Sequence, residues 1–211
     1  MRVKRKKHGK ERYENCGSVV ISDASALEDV HSVFGNTNPL RIEIGCGKGD
    51  FITETAAKEP DVNFIAFEKI LDVIVVAAEK AVEKELTNVK LCCLDAKSLP
   101  EVLAPGSVER IYLNFSDPWP KAGHYKRRLT YRGFLCEYKK LLVPGGAVFF
   151  KTDNDALFDF SLTEFEAAGF TLKNVTRDLH ASEFASENVM TEYEKRFSEA
   201  GKTINRAEAW L

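Results

Sequence analysis

Strand-like and helix-like segments alternate along most of this 211-residue chain, and the alternation constrains its fold more than any other feature. β-Branched and aromatic runs such as 62–67 (VNFIAF) predict buried strands. Amphipathic or Ala/Glu/Lys-rich stretches between such runs predict helices, for example at 70–86 and 155–168. Because parallel strands need a helical crossover, the pattern is typical of a mostly parallel sheet covered on both faces.

The whole pattern predicts a doubly wound α/β fold with a mostly parallel seven-stranded sheet. The two closing strands are expected to pair antiparallel at one edge. Residues 1–20 are expected to form a basic, flexible arm, residues 21–211 a single domain, and the stretch up to about residue 38 shows no clear pattern. The predicted strands are 41–44, 62–67, 89–94, 108–115, 147–152, 171–179 and 203–211. The predicted helices are 50–58, 70–86, 98–103, 130–142, 155–168 and 191–197, and Pro144-Gly145-Gly146 is expected to end the fourth of them.

Hydropathy and cysteine usage exclude several classes of protein. No apolar run reaches the roughly 18–20 residues that span a bilayer, and no apolar segment follows the basic N-terminus. We therefore expect neither a membrane span nor a secretory signal. The five cysteines are odd in number and contain no C-x-x-C pair, which favours reduced thiols in a cytoplasmic protein without disulfides or metal.

Positive charge is concentrated in two segments, although the net charge is only −2. Residues 1–12 hold seven Lys or Arg and one Glu, and residues 121–132 hold five Lys or Arg and no acid. Clustered basic residues on an acidic body indicate a surface that binds phosphates. A disordered tail and a solvated loop are the alternative for the same two segments.

A glycine cluster follows the first predicted strand, at Glu43–Gly49 (EIGCGKG). The spacing G-x-G-x-G differs from the dinucleotide fingerprint, and no G-K-[ST] follows for a P-loop. Glu43 would repel a pyrophosphate and attract an ammonium or sulfonium cation. A plain turn between strand and helix remains the alternative for the glycines.

Two further acids follow the next predicted strands. Glu68 lies 19 residues after Gly49, close to the spacing at which a carboxylate binds a ribose diol. Asp95 is placed where an adenine amino group could donate to it, and it could equally cap the following helix. A glycine loop with three acids at strand ends suits S-adenosylmethionine better than NAD.

The predicted strand 108–115 leads into a stiff loop with the sequence NFSDPWP at 114–120. Its two prolines restrict the backbone, and Trp119 offers a stacking face for a base. Asp117 is expected to lie near the cofactor, with the basic run 121–132 next to it. The alternative is a structural turn.

Taken together, these motifs resemble the bacterial tRNA (guanine-N7-)-methyltransferases over nearly the whole chain. YLNFSDPWP followed by KRRLTY is highly specific to that family, whereas many methyltransferases share the glycine loop. Cys46 stands where the family often has Ser. The backbone rather than the side chain is expected to matter at this position. The other matching stretches are Phe67-Glu68, Leu94-Asp95, FKTDN at 150–154, DLHAS at 178–182 and NVMTEYE at 188–194.

The resemblance implies a class I Rossmann-like methyltransferase that methylates N7 of a guanosine in the variable loop of tRNA. It implies S-adenosylmethionine contacts at Glu43, Gly45, Gly47, Gly49, Glu68, Asp95 and Asp117, and a catalytic role for Asp117. It implies substrate contacts at Lys121, Asp153, Thr191, Glu192, Tyr193 and Glu194. It implies RNA contacts at Gly123, His124, Tyr125, Lys126, Arg127 and Arg128.

Other functions stay open at this point. A methyltransferase for a small molecule or a protein would not need the basic loop, and an RNA-binding protein without catalysis would not need acids at four strand ends. A nicotinamide dehydrogenase fits Glu43 and the glycine spacing least well. We expect tRNA as the partner, no obligate protein partner, and a monomer or homodimer.

Overall fold

A computed structural model describes residues 8–211, so most basic residues of the predicted N-terminal arm lie outside the described part. The chain forms two compact units, one ending at Ala104 and the other running from Pro105 to Leu211. Within residues 8–211, no helix is long and apolar enough to cross a membrane.

The first unit contains four parallel strands in the order β1-β4-β3-β2. β3 is buried along its whole length, as expected for a parallel strand covered on both faces. Its strands are β1 (Val20–Ile21), β2 (Leu40–Ile44), β3 (Asn63–Phe67) and β4 (Val89–Cys92). Its helices are α1 (Gly9–Glu14), α2 (Val30–Phe34), α3 (Asp50–Lys58), α4 (Leu71–Glu83) and α5 (Leu99–Val102).

Helix α1 packs on α4 within the first unit. Arg12 donates from Nε and Nη2 to the two carboxylate oxygens of Glu79, each at 2.8 Å. The hydroxyl of Tyr13, a buried residue, donates to the carbonyl of Leu91 at 2.8 Å. The flexibility of residues 1–20 and the single domain over 21–211 stay predictions.

The second unit contains four strands in the order β5-β6-β8-β7. β5 and β6 are parallel, and β8 runs antiparallel to both β6 and β7. The strands are β5 (Val108–Asn114), β6 (Leu142–Thr152), β7 (Thr171–Thr176) and β8 (Asn205–Trp210). The helices are α6 (Arg132–Leu141), α7 (Asp155–Ala167) and α8 (Glu192–Glu199).

The predicted fold class is confirmed, and all seven predicted strands are present. The described residues add an eighth strand, β1, whose two residues are too few to show a periodic pattern. β6 begins at Leu142 rather than Ala147, and Pro144-Gly145-Gly146 lies within the strand instead of separating it from α6. The pairing with β5 shifts register between Val108 and Arg110, which accommodates these extra residues.

Candidate functional site

In the first unit, the glycine loop connects β2 to α3 through a backbone that favours glycine. Gly45, Gly47 and Gly49 have φ angles of 80°, 58° and 81°, in the left-handed region that disfavours side chains. A Cβ on Gly49 would lie 2.5 Å from the Cβ of Ala77, so this glycine permits close packing against α4. A Cβ on Gly45 or Gly47 would meet no atom within 4 Å, so open space lies over the loop.

Carboxylates make the surroundings of this loop electronegative. Glu43 is only 1% exposed at the end of β2. Burial, reinforced by the negative charges of Glu43 and Glu68, raises the pKa of the Cys46 thiol well above its ordinary value. The same field that disfavours a thiolate favours a cation and opposes a pyrophosphate.

Glu68 and Asp95 follow β3 and β4 at the same edge of the sheet as the glycine loop. The register aligns Ile44 with Phe67 and Phe67 with Cys92, so the carboxyl ends of the three strands are level. Oε1 of Glu68 accepts from the Ile70 amide at 3.0 Å. Oδ1 of Asp95 accepts from the Lys97 amide at 3.0 Å and caps a 3₁₀ helix, so the capping alternative holds for that oxygen. Their roles toward a cofactor stay predictions.

In the second unit, the loop after β5 carries Asp117 between two residues with unusual backbone angles. Phe115 has a φ of 53° and Trp119 a φ of 41°. The left-handed region costs a residue with a side chain about 1–2 kcal/mol, so surrounding contacts must hold this loop. Asp117 itself is exposed. We call residues 115–120 the Asp117 loop.

The basic loop, residues 121–128, folds as a 3₁₀ helix over Ala122–Arg127 and presents mostly exposed side chains. The guanidinium of Arg127 lies 5.0 Å from the ring centroid of Trp119, and His124 contacts the same ring edge-on at 5.7 Å. The exposed members are Lys121, Ala122, Gly123, Tyr125, Lys126 and Arg127, and His124 is half-buried. Exposed positive charge therefore lies directly beside the Asp117 loop.

Arg128 differs from its neighbours in the basic loop. It is half-buried, with Nε donating to the Pro118 carbonyl at 2.9 Å and Nη2 to the Trp119 carbonyl at 3.2 Å. The guanidinium also lies 4.3 Å from the ring centroid of Phe160 on α7. Its side-chain contacts are thus with the Asp117 loop and with α7.

The predicted substrate residue Glu194 is 0% exposed and lies in a buried network. Oε2 accepts from Lys151 Nζ at 2.7 Å, and Oε1 accepts from Asn188 Nδ2 at 2.6 Å and interacts with His180 Nε2 at 2.8 Å. Burial raises the pKa of Glu194, but the Lys151 ammonium and the hydrogen bonds outweigh it and hold that pKa below its ordinary value. Sequence reasoning missed Lys151, His180 and Asn188, although each lies within a family-like stretch. A direct substrate contact by Glu194 stays a prediction.

Among the remaining predicted substrate residues, Tyr193 belongs to an aromatic cluster with Phe115 and Phe197. Tyr193 is 48% exposed, with its ring centroid 5.5 Å from that of Phe115 and 4.4 Å from that of Phe197. Thr191 caps α8 through a capping box with Glu194, and Glu192 is exposed. Asp153, after β6, pairs with Lys202 at 3.0 Å. The cluster offers an aromatic face on which a base could stack.

Residues 8–211 contain no group of His, Cys, Asp and Glu side chains arranged to hold a metal ion. All five cysteines lie in this range and are free thiols.

Comparison with known proteins places the chain among methyltransferases. Residues 37–207 match a family model described as "Putative methyltransferase". The tRNA (guanine-N(7)-)-methyltransferase of Lactococcus lactis subsp. cremoris (strain SK11) is 48% identical over 99% of this chain and 97% of its own. The protein of the same name from Streptococcus mutans serotype c is 48% identical over 99% of both chains, and that from Brevibacillus brevis is 51% identical over 83% of this chain and 82% of its own.

Solved structures match at the level of the fold. An antibiotic-related methyltransferase aligns with a TM-score of 0.65 and 16% identity, covering 92% of this chain and 96% of its own. A 30S ribosomal A1408 methyltransferase from an uncultured bacterium aligns with a TM-score of 0.63 and 12% identity, covering 90% and 94%. At such identities the likeness supports the Rossmann-like methyltransferase fold alone.

Proposed function

The chain belongs to the family of tRNA (guanine-N(7)-)-methyltransferases, and from this premise we propose that it methylates N7 of a guanosine in the variable loop of tRNA with S-adenosylmethionine. The observation that carries the proposal is the 48% sequence identity to curated relatives over almost the full length of both chains. The product is a 7-methylguanosine in tRNA.

The glycine loop and its carboxylates fit S-adenosylmethionine. The open space over Gly45 and Gly47 leaves room for a ligand close to the backbone, and the electronegative surroundings suit a sulfonium cation. When bound, S-adenosylmethionine supplies an electrophilic methyl group. Glu43 would favour its cationic end, Glu68 the ribose hydroxyls and Asp95 the adenine amino group, with Gly45, Gly47 and Gly49 permitting the approach.

The chemistry at the guanine requires alignment more than proton transfer. Guanine N7 carries an in-plane lone pair and no proton, so the chain need not supply a strong general base. Holding the reacting atoms in line can contribute several kcal/mol to catalysis. Asp117 would accept hydrogen bonds from the base and stabilise the positive charge that develops on it.

The second unit supplies groups suited to tRNA. Lys126 and Arg127 would contact phosphates, with Lys121, Gly123, His124 and Tyr125 on the same loop. Tyr193 would stack on a base. Asp153, Thr191 and Glu192 would make further contacts with the substrate. The free thiols support a reducing compartment, and we infer a cytoplasmic enzyme, monomeric or homodimeric, without an obligate protein partner.

Incubation with labelled S-adenosylmethionine and unmodified tRNA, followed by nucleoside analysis, tests the proposal. We expect label in 7-methylguanosine only, and Asp117→Ala serves as the control with impaired transfer. Label in another nucleoside, or tRNA binding without any transfer by the wild type, would contradict the proposed function.

A further inference from the structure

Two adjacent arginines of the basic loop have different surroundings, although the sequence presents them as equals. Arg127 is exposed and stacks on Trp119, whereas Arg128 is half-buried and donates to the carbonyls of Pro118 and Trp119. Those carbonyls belong to the two residues that directly follow Asp117. Arg128 therefore bonds to the Asp117 loop, and Arg127 faces the solvent.

The contacts of Arg128 require the geometry of a guanidinium. Nε and Nη2 present N–H bonds along one edge of a planar group, so a single side chain can donate to two successive carbonyls. The guanidinium carbon also lies 4.3 Å from the ring centroid of Phe160, so the group packs against α7. A lysine at this position would keep the charge, but its single ammonium could not reproduce both the fork and the stacking.

The Asp117 loop needs such support. Phe115 and Trp119 both adopt left-handed backbone angles that side chains disfavour, and they bracket Asp117. The hydrogen bond from Arg128 to the Trp119 carbonyl acts on one of these two residues directly. Loss of these bonds would free the loop to relax toward ordinary backbone angles and would displace Asp117.

We propose that Arg128 is a positioning residue that holds the Asp117 loop in its reactive conformation, while Arg127 is the arginine that contacts RNA phosphates. This inference rests on the proposed function, because the reactive conformation is the one that orients Asp117 toward the guanine. It also gives the basic loop two separable tasks, RNA attraction and support of the neighbouring loop.

Matched substitutions at the two positions separate these tasks. Arg128→Lys and Arg128→Ala are expected to lower kcat by about tenfold to a hundredfold, since a small misplacement of a catalytic group costs that much. The slope of log K for tRNA against log salt should stay at the wild-type value in both. Arg127→Ala should instead flatten that slope by about 0.7–0.9, and Arg127→Lys should restore it.

The opposite pattern would overturn the proposal. If Arg128→Lys retains wild-type kcat, the guanidinium does not position the Asp117 loop. If Arg128→Ala flattens the salt slope as one lost phosphate contact does, Arg128 is an RNA contact. Phe160→Leu provides a second test without any change of charge. It should lower kcat in the same direction with an unchanged salt slope, and a wild-type kcat would argue against the support from α7.

Fluorescence of the free protein tests the loop independently of methyl transfer. The chain contains only two tryptophans, so a Trp210→Phe background reports on Trp119 alone. In that background, Arg128→Ala should increase quenching of Trp119 by acrylamide, and Lys126→Ala should not. Unchanged quenching in Arg128→Ala would overturn the loop support even if the wild type methylates tRNA, whereas failure of the wild type to methylate tRNA would overturn the proposed function alone.

Discussion

At the scale of single residues, truncation of Asp117 and truncation of Glu68 are expected to have opposite effects on kcat and on S-adenosylmethionine affinity. Asp117→Ala should lower kcat about a hundredfold and change S-adenosylmethionine affinity little, because the role proposed for Asp117 is to stabilise charge on the guanine. Steady-state kinetics and calorimetric titration of the free enzyme measure the two quantities.

Glu68→Ala is the reciprocal control for this experiment. It should weaken S-adenosylmethionine binding by about 1–3 kcal/mol, the cost of leaving hydroxyls unpaired. If Asp117→Ala abolished cofactor binding, or Glu68→Ala left it intact, the corresponding assignment would be wrong.

Replacement of Glu194 should reduce the stability of the fold. Glu194→Gln removes the negative charge beside the buried Lys151 ammonium and should lower the free energy of unfolding by about 3 kcal/mol at neutral pH. Glu199→Gln, on the exposed surface of the same helix, should change it by less than about 0.5 kcal/mol. Urea denaturation monitored by circular dichroism provides the comparison.

The pH dependence of the Glu194 effect has a defined sign. Because folding lowers the pKa of this carboxyl, its ionisation stabilises the fold above the ordinary pKa, and that contribution is lost as pH falls through the folded value. The difference in free energy of unfolding between wild type and Glu194→Gln should therefore be smaller at about pH 3, below the ordinary pKa of 4.5, than at neutral pH. A gap that widened on acidification would contradict the charge pairing with Lys151.

At the scale of elements, the approach of the glycine loop to α4 makes Gly49 the least replaceable glycine of the loop. Gly49→Ala should lower the free energy of unfolding by about 2–4 kcal/mol, combining overpacking against Ala77 with left-handed strain. Gly47→Ala carries the strain without the clash and should cost about 1–2 kcal/mol. The urea denaturation midpoints of the two variants measure these losses of stability. Equal losses would mean that α4 can shift to accommodate a methyl group at residue 49.

At the scale of the whole molecule, the charge distribution explains how a chain of net charge −2 can bind a polyanion. The described basic loop concentrates exposed cations, so tRNA binding should weaken steeply with added salt. Lys126→Ala is expected to reduce the slope of log K against log salt by about 0.7–0.9. Lys140→Ala, an exposed lysine of α6 paired with Glu137, is the matched control that should leave the slope unchanged. Equal slopes for wild type and Lys126→Ala would argue for a solvated loop.

Much of the fold could be predicted from the sequence because its strands and helices carry strong periodic patterns. The alternation over residues 41–168 predicted the parallel strands. The acid at the end of β2 and the acids after β3 and β4 were predicted at strand ends that the register brings level. The N-terminal elements were missed because helices and a strand of two to six residues carry too little pattern. The position of β8 between β6 and β7 also depends on long-range pairing that local sequence does not encode.

The sequence by itself determined the kind of protein, since the motif NFSDPWP with its basic run and the glycine loop with its acids are local features. Only the tertiary structure decided which side chains support the site and which remain exposed. Arg127 and Arg128 are identical neighbours, yet the fold directs one into the solvent and the other to the Pro118 and Trp119 carbonyls. Glu194 belongs to an amphipathic segment, yet the fold places it beside Lys151 of β6. In each case the deciding partner is distant in sequence or depends on the path of the backbone, so composition and spacing carry no signal for it.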